Sequence, residues 1–146
     1  MSELQIIIFL AAGSIAWAVG GGVSGFSIPL KWVRRILWPV IAGIFLVAAS
    51  VVWWKVLGVI GLLILVNHLP YGDGTPWPIR VLTFIGLSAP ALILNFSVWP
   101  WVLVGGGLIT AMGWATRKWN FISHKLFEFG AGAVQAGILV IAGLMP

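Results

Sequence analysis

A chain of 146 residues that is 61% hydrophobic and only 8% charged, with a mean hydropathy of +1.12, has too few charges to cover a soluble domain, which carries about 25%. The formal charge of +5 would suggest nucleic acid in a soluble protein. Here the basic residues are grouped on short connectors, the pattern that membrane topology imposes, so a lipid bilayer is the expected partner and nucleic acid is not. Ten tryptophans fit the headgroup region, and the absence of cysteine excludes disulfides and thiolate metal sites.

In chain order, Met1-Ser2-Glu3 lacks the basic start of a cleavable signal, so the apolar run from Leu4 to Val19 reads as a retained span. Ala12, Ala16 and Gly20 recur along one face, where a second helix can approach closely. A glycine-rich connector follows, then Lys31-Trp32-Val33-Arg34-Arg35. With Trp32 and Trp38 beside them, Lys31, Arg34 and Arg35 are expected to anchor the chain at an interface.

The stretch Ile36 to Val66 is predominantly apolar, with Lys55 its only charge. One straight helix of that length would span about 46 Å, beyond a hydrocarbon core of about 30 Å. A lysine at the bilayer centre costs about 2.5–3.5 kcal/mol on insertion scales. Trp53-Trp54-Lys55 is therefore expected to be a hairpin tip between arms 36–52 and 56–66.

The central stretch from Asn67 to Arg80 carries three prolines and the turn Gly72-Asp73-Gly74. It holds His68, Tyr71, Asp73 and Arg80, which could act on a lipid headgroup as base, acid and phosphate-binding cation. The bland alternative is a turn cap, an interface aromatic and a topology charge. No pair of these residues has metal-ligand spacing, so neither metal nor cofactor is expected.

From Val81 to Trp114 a second long apolar stretch is broken by Pro90, Asn95 and Pro100. Its predicted arms are 81–94 and 102–115, with a tip bearing Trp99 and Trp101. The alternation of tryptophan, arm, tip and arm at Lys31–Leu69 and Pro76–Thr116 suggests an internal repeat. A basic connector with Arg117, Lys118 and Lys125 leads to the last span, 126–144. There Glu128, Gly132 and Gln135 share one face that must be turned toward protein or water.

These arms predict an all-α, polytopic membrane domain of about six short helices arranged as hairpins over residues 1–146. A four-span version would leave two overlong, broken helices. Six arms place every basic residue except Lys55 on one side, expected to be cytoplasmic, with both termini outside. Gly22-Val23-Ser24-Gly25 matches the GxSG string of rhomboid-type proteases, but both histidines sit in or beside loops, so a hinge is the reading adopted.

The runs Lys31–Arg35, Leu69-Pro70-Tyr71-Gly72-Asp73 and His124-Lys125-Leu126-Phe127-Glu128-Phe129 resemble, in layout, small polytopic membrane proteins of bacteriophages and prophages. That resemblance carries over no catalytic residue. It implies a bacterial or viral inner-membrane setting and favours membrane-permeabilising or host-modifying roles. The function expected is a non-enzymatic, homo-oligomeric membrane assembly, with a pore as one form of it. An accessory subunit of a larger membrane complex, or a lipid-modifying enzyme using the 67–80 loop, are the alternatives.

Overall fold

A computed structural model of the chain describes residues 2–19, 32–68, 76, 78, 88–119 and 124–145. Lys31, Tyr71, Asp73 and Arg80 lie outside them, as do the glycine-rich connector and the Gly22–Gly25 string. Every regular element among the described residues is helical. The helices are α1 (Glu3–Trp17), α2 (Trp38–Ala48), α3 (Trp53–Asn67), α4 (88–94), α5 (Trp99–Trp119) and α6 (His124–Leu144). Among the described residues the fold is all-α, with these six helices, as the broken apolar runs predict. Among the described residues one stretch, Leu126–Leu144, is long and apolar enough by itself to cross a membrane; Glu3–Trp17, Trp53–Leu65 and Phe96–Met112 are shorter apolar helices.

Local chemistry explains the ends. Ser2 and Gln5 form a reciprocal capping box at the start of α1: the Gln5 amide donates to Ser2 Oγ at 3.4 Å and the Ser2 amide to Gln5 Oε1 at 3.0 Å. α2 is entered through a π-helical turn, Val33–Leu37. It ends in a Schellman motif, with the Val51 amide donating to the Leu46 carbonyl and the Ser50 amide to that of Val47. Ser50 takes the left-handed conformation, φ 61°, that such an ending needs.

The reversal between α2 and α3 is thus made by residues 49–52, and Trp53, Trp54 and Lys55 form the first turn of α3 rather than the tip itself. The sequence held no glycine to mark the left-handed position, so the conspicuous aromatic pair drew the boundary too late. The second reversal is similar. Asn95 Oδ1 accepts from the Ser97 amide at 3.0 Å, a 3-10 turn Phe96–Val98 follows, and α5 opens on Trp99-Pro100, where proline is tolerated.

The two tips meet: Lys55 Nζ donates to the Leu94 carbonyl at the end of α4, at 3.0 Å, and lies 5.6 Å from the Trp54 ring centroid. Trp53, Trp54, Trp99 and Trp101 are all exposed around this tip end.

Packing runs in the neighbour order α3, α2, α1, α6, α5. The tightest seam joins α1 and α6, which run antiparallel, Leu10 opposite Gly137 and Gly13 opposite Gly132 and Ala136. A Cβ on Gly132 would collide with the Gly13 carbonyl and stand 2.8 Å from Ser14 Cα, so glycine here permits backbone contact. Phe9 stacks on Phe45, centroids 3.8 Å apart, and tilts against Trp38 at 5.1 Å, tying α1 to α2.

Candidate functional site

On α6 the buried positions Glu128, Ala131, Gly132, Gln135, Ala136 and Leu139 recur at helical spacing, so the polar pair is carried inward on the face that meets α1. Gln135 Oε1 accepts two hydrogen bonds, from Trp17 Nε1 and Trp38 Nε1, each 2.8 Å. A carbonyl oxygen has two lone pairs, and both are used. Three buried side chains from α1, α2 and α6 thereby form one polar clasp inside an apolar core. Trp38, expected at an interface, is fully buried because its N–H finds this acceptor, while Trp32 stays exposed.

Above the clasp lies a charged layer. Arg34, in the π-helical turn one helical turn before Trp38, is 6% exposed, with its guanidinium carbon 5.1 Å from the Trp17 ring centroid. That is cation–π geometry. Arg34 is therefore turned into the bundle, whereas its neighbour Arg35 is half-buried. Glu128, two turns before Gln135 on the same face, is 0% exposed.

Asn67 ends α3 at the foot of its buried stripe Val56, Val59, Leu63, and is 2% exposed. Neither its Nδ2 nor its Oδ1 meets a hydrogen-bond partner among the described residues. The next residue, His68, is exposed; its Nδ1 lies 2.6 Å from the Ile64 carbonyl, and its ring stands edge-on to Trp32 at 6.2 Å. This contact brings the end of α3 beside the π-helical turn that carries Arg34.

Helical rise orders the polar groups along each helix. Val47 and Trp53 line one groove, and Leu46 packs over Gly143, which aligns the tip ends of α2, α3 and α6. Measured from that end, Arg34, Asn67 and Glu128 are all about 20–24 Å along their helices, and Trp38 and Gln135 about 14–15 Å. Beyond the clasp, toward the tips, the described buried side chains are apolar apart from the hydroxyls of Ser14 and Ser88. Ser14 is satisfied within its own helix by the Leu10 carbonyl at 2.8 Å.

Of the residues singled out in the sequence, Glu128 and Gln135 share this site with Arg34, and His68 stands at its edge. Trp53, Trp54, Trp99 and Trp101 belong to the opposite end. Arg117, Lys118 and Lys125 fall in helical backbone at the end of α5 and the start of α6. Sequence reasoning missed Trp17 and Trp38 as donors and Asn67 as a buried amide. A signal for Asn67 was present, since it continues the inward spacing of Val56, Val59 and Leu63.

Among the described residues no three His, Cys, Asp or Glu side chains cluster as a metal site. Comparison with family models, curated proteins and solved structures finds no match to this chain.

Proposed function

We propose that this chain is a six-span membrane protein that acts as a non-enzymatic, homo-oligomeric assembly unit. The observation that carries this reading is an inverted distribution of polarity. Ile44, Leu65 and Leu103 are 65%, 66% and 62% exposed, while Glu128, Gln135 and Arg34 are buried. Water would drive the opposite arrangement, and hydrocarbon favours this one.

Most spans are short. α1 and α3 have 15 residues each, about 22 Å of helix against a hydrocarbon core of about 30 Å. Spans of that length sit in locally thinned bilayer or among neighbours. Outward glycines favour neighbours of the same kind. A Cβ at Gly61 or Gly107 would meet nothing within 4 Å inside the protomer, yet glycine in a helix costs about 1 kcal/mol relative to alanine. Close approach by a second copy gives such positions a use.

A pore lined by the α6 face has less support. Gln135 is committed to two indoles of its own protomer, and Glu128 is turned into the same interior. The basic connectors are assigned to the cytoplasm of a bacterial cell, with both termini outside.

Sidedness and embedding are tested together. The protein should resist alkaline extraction from membranes. Gly74→Cys in the cysteine-free chain should be unlabelled by an impermeant thiol reagent in intact cells and labelled after lysis. Labelling in intact cells would overturn the six-span topology. Reconstituted vesicles should show no ion flux; a conductance changed by Glu128→Gln would replace assembly with a channel.

A further inference from the structure

We infer that the outer face of α3 receives helix α1 of a second copy of this chain, with Glu3 of that copy paired to Lys55. This rests on the assembly reading above and gives it an interface. Lys55 lies in the first turn of α3, which holds no acidic residue. Its charge therefore stands at the positive end of the helix dipole, where a cation is disfavoured. Its contacts within the protomer are the Leu94 carbonyl and the Trp54 ring. Neither neutralises the charge, and the carbonyl takes only one of the three ammonium donors. Among the described residues the acidic side chains are Glu3 and Glu128. Glu128 is buried toward the opposite end, whereas Glu3 is exposed.

Depth and shape agree with that pairing. Leu10 lies opposite Gly137, and Gly143, one and a half turns further along α6, is level with Leu46. Counting back along α1 from Leu10 puts Glu3 within about 3 Å of the Leu46 level. Trp53, which shares a groove with Val47, stands at that level too. Copies with one topology in a bilayer meet at equal depth, so Glu3 of one comes level with Lys55 of the next. Both helices start at the tip end and run the same way. On α1, Glu3, Ile7, Ala11 and Ile15 form an exposed ridge at i, i+4 spacing. On α3 the exposed rows Trp54–Gly58 and Leu57–Gly61–Leu65 leave a furrow that the glycines deepen. A Cβ at Gly61 would meet nothing within 4 Å, and one at Gly58 would meet only Ile93, at 3.8 Å. Laying the α1 ridge in this furrow brings Ile7 to the depth of Leu57 and Ala11 to that of Gly61, small against small. Within the protomer α2 stands between α1 and α3. The contact therefore joins two different faces, head to tail, and builds a ring or an open chain rather than an isologous pair.

Crosslinking tests it, because the chain has no native cysteine. Ile7→Cys and Leu57→Cys, on full chains carrying tags of different size and reconstituted together in vesicles, should give a disulfide-linked heterodimer on oxidation. Neither variant alone should form a linked dimer. Reversing one charge on every chain, Glu3→Lys or Lys55→Glu, should lower the heterodimer yield at least about tenfold, the effect of placing like charges together. Both reversals combined should restore it. A monomeric mass for the unmodified protein by light scattering would overturn the assembly reading itself. An oligomer that gives no crosslink between positions 7 and 57 would leave assembly standing and overturn this interface. A crosslink unchanged by Glu3→Lys, or a double reversal that restores nothing, would overturn the Glu3–Lys55 pair.

Discussion

The α1–α6 seam and the outer face of α2–α3 are built from the same residue types and packed by different rules. At the seam, Gly13 and Gly132 bring two backbones into contact, and the buried Gln135 accepts two indole hydrogen bonds through its Oε1. On the outer face, Val40, Gly43, Ile44 and Val47 of α2 and Trp53, Val56, Leu57 and Ile60 of α3 line an open apolar groove of about 480 Å³. Small residues at the seam are fixed by what touches them. On the outside, at Gly61 and Gly107, nothing within the protomer does so. Composition treats these glycines as equivalent, and only the neighbours separate them.

Substitution should separate the two regions sharply. Gln135→Leu is expected to have the largest effect. It keeps volume but strands two buried indole N–H groups, costing about 2–4 kcal/mol at the usual penalty for an orphaned donor. Reversible unfolding in mixed micelles would measure it. A neutral or stabilising result would show that the clasp contributes nothing and that the seam holds by shape alone. Gly132→Ala should follow, at about 1–3 kcal/mol, because the added carbon meets backbone that cannot rotate away. Crosslinking between cysteines at positions 10 and 137 would report whether the α1–α6 register has slipped.

At the tips, Lys55→Met removes the hydrogen bond to the Leu94 carbonyl. It should cost about 0.5–1.5 kcal/mol, read as faster proteolysis within residues 95–98. The smallest effect is expected at Gly107→Ala. In an isolated protomer it should stabilise α5 by up to about 1 kcal/mol through helix propensity. In an oligomer that uses this face it should weaken association instead, so mass by light scattering and melting temperature should move in opposite directions. If the melting temperature rises while the mass stays the same, Gly107 lies outside the interface.

All-helical architecture, the number of helices and the grouping of positive charge follow from composition and from where proline, glycine and charge interrupt the apolar runs. Those features are local, because a backbone in an apolar setting must satisfy its own hydrogen bonds within each segment. The shared face of Glu128, Gly132 and Gln135 was equally legible, since helical periodicity alone decides it.

Tertiary structure alone decided which partners those faces meet. That Arg34 lies over Trp17 while Arg35 does not, that Trp38 is a core donor while Trp32 is exposed, and that Asn67 closes a buried stripe all depend on how α1, α2, α3 and α6 are set against one another. In a chain where apolar residues cover both the inside and the outside, hydrophobicity no longer tells the two apart. Only close packing and the few polar contacts available to a buried side chain can do so.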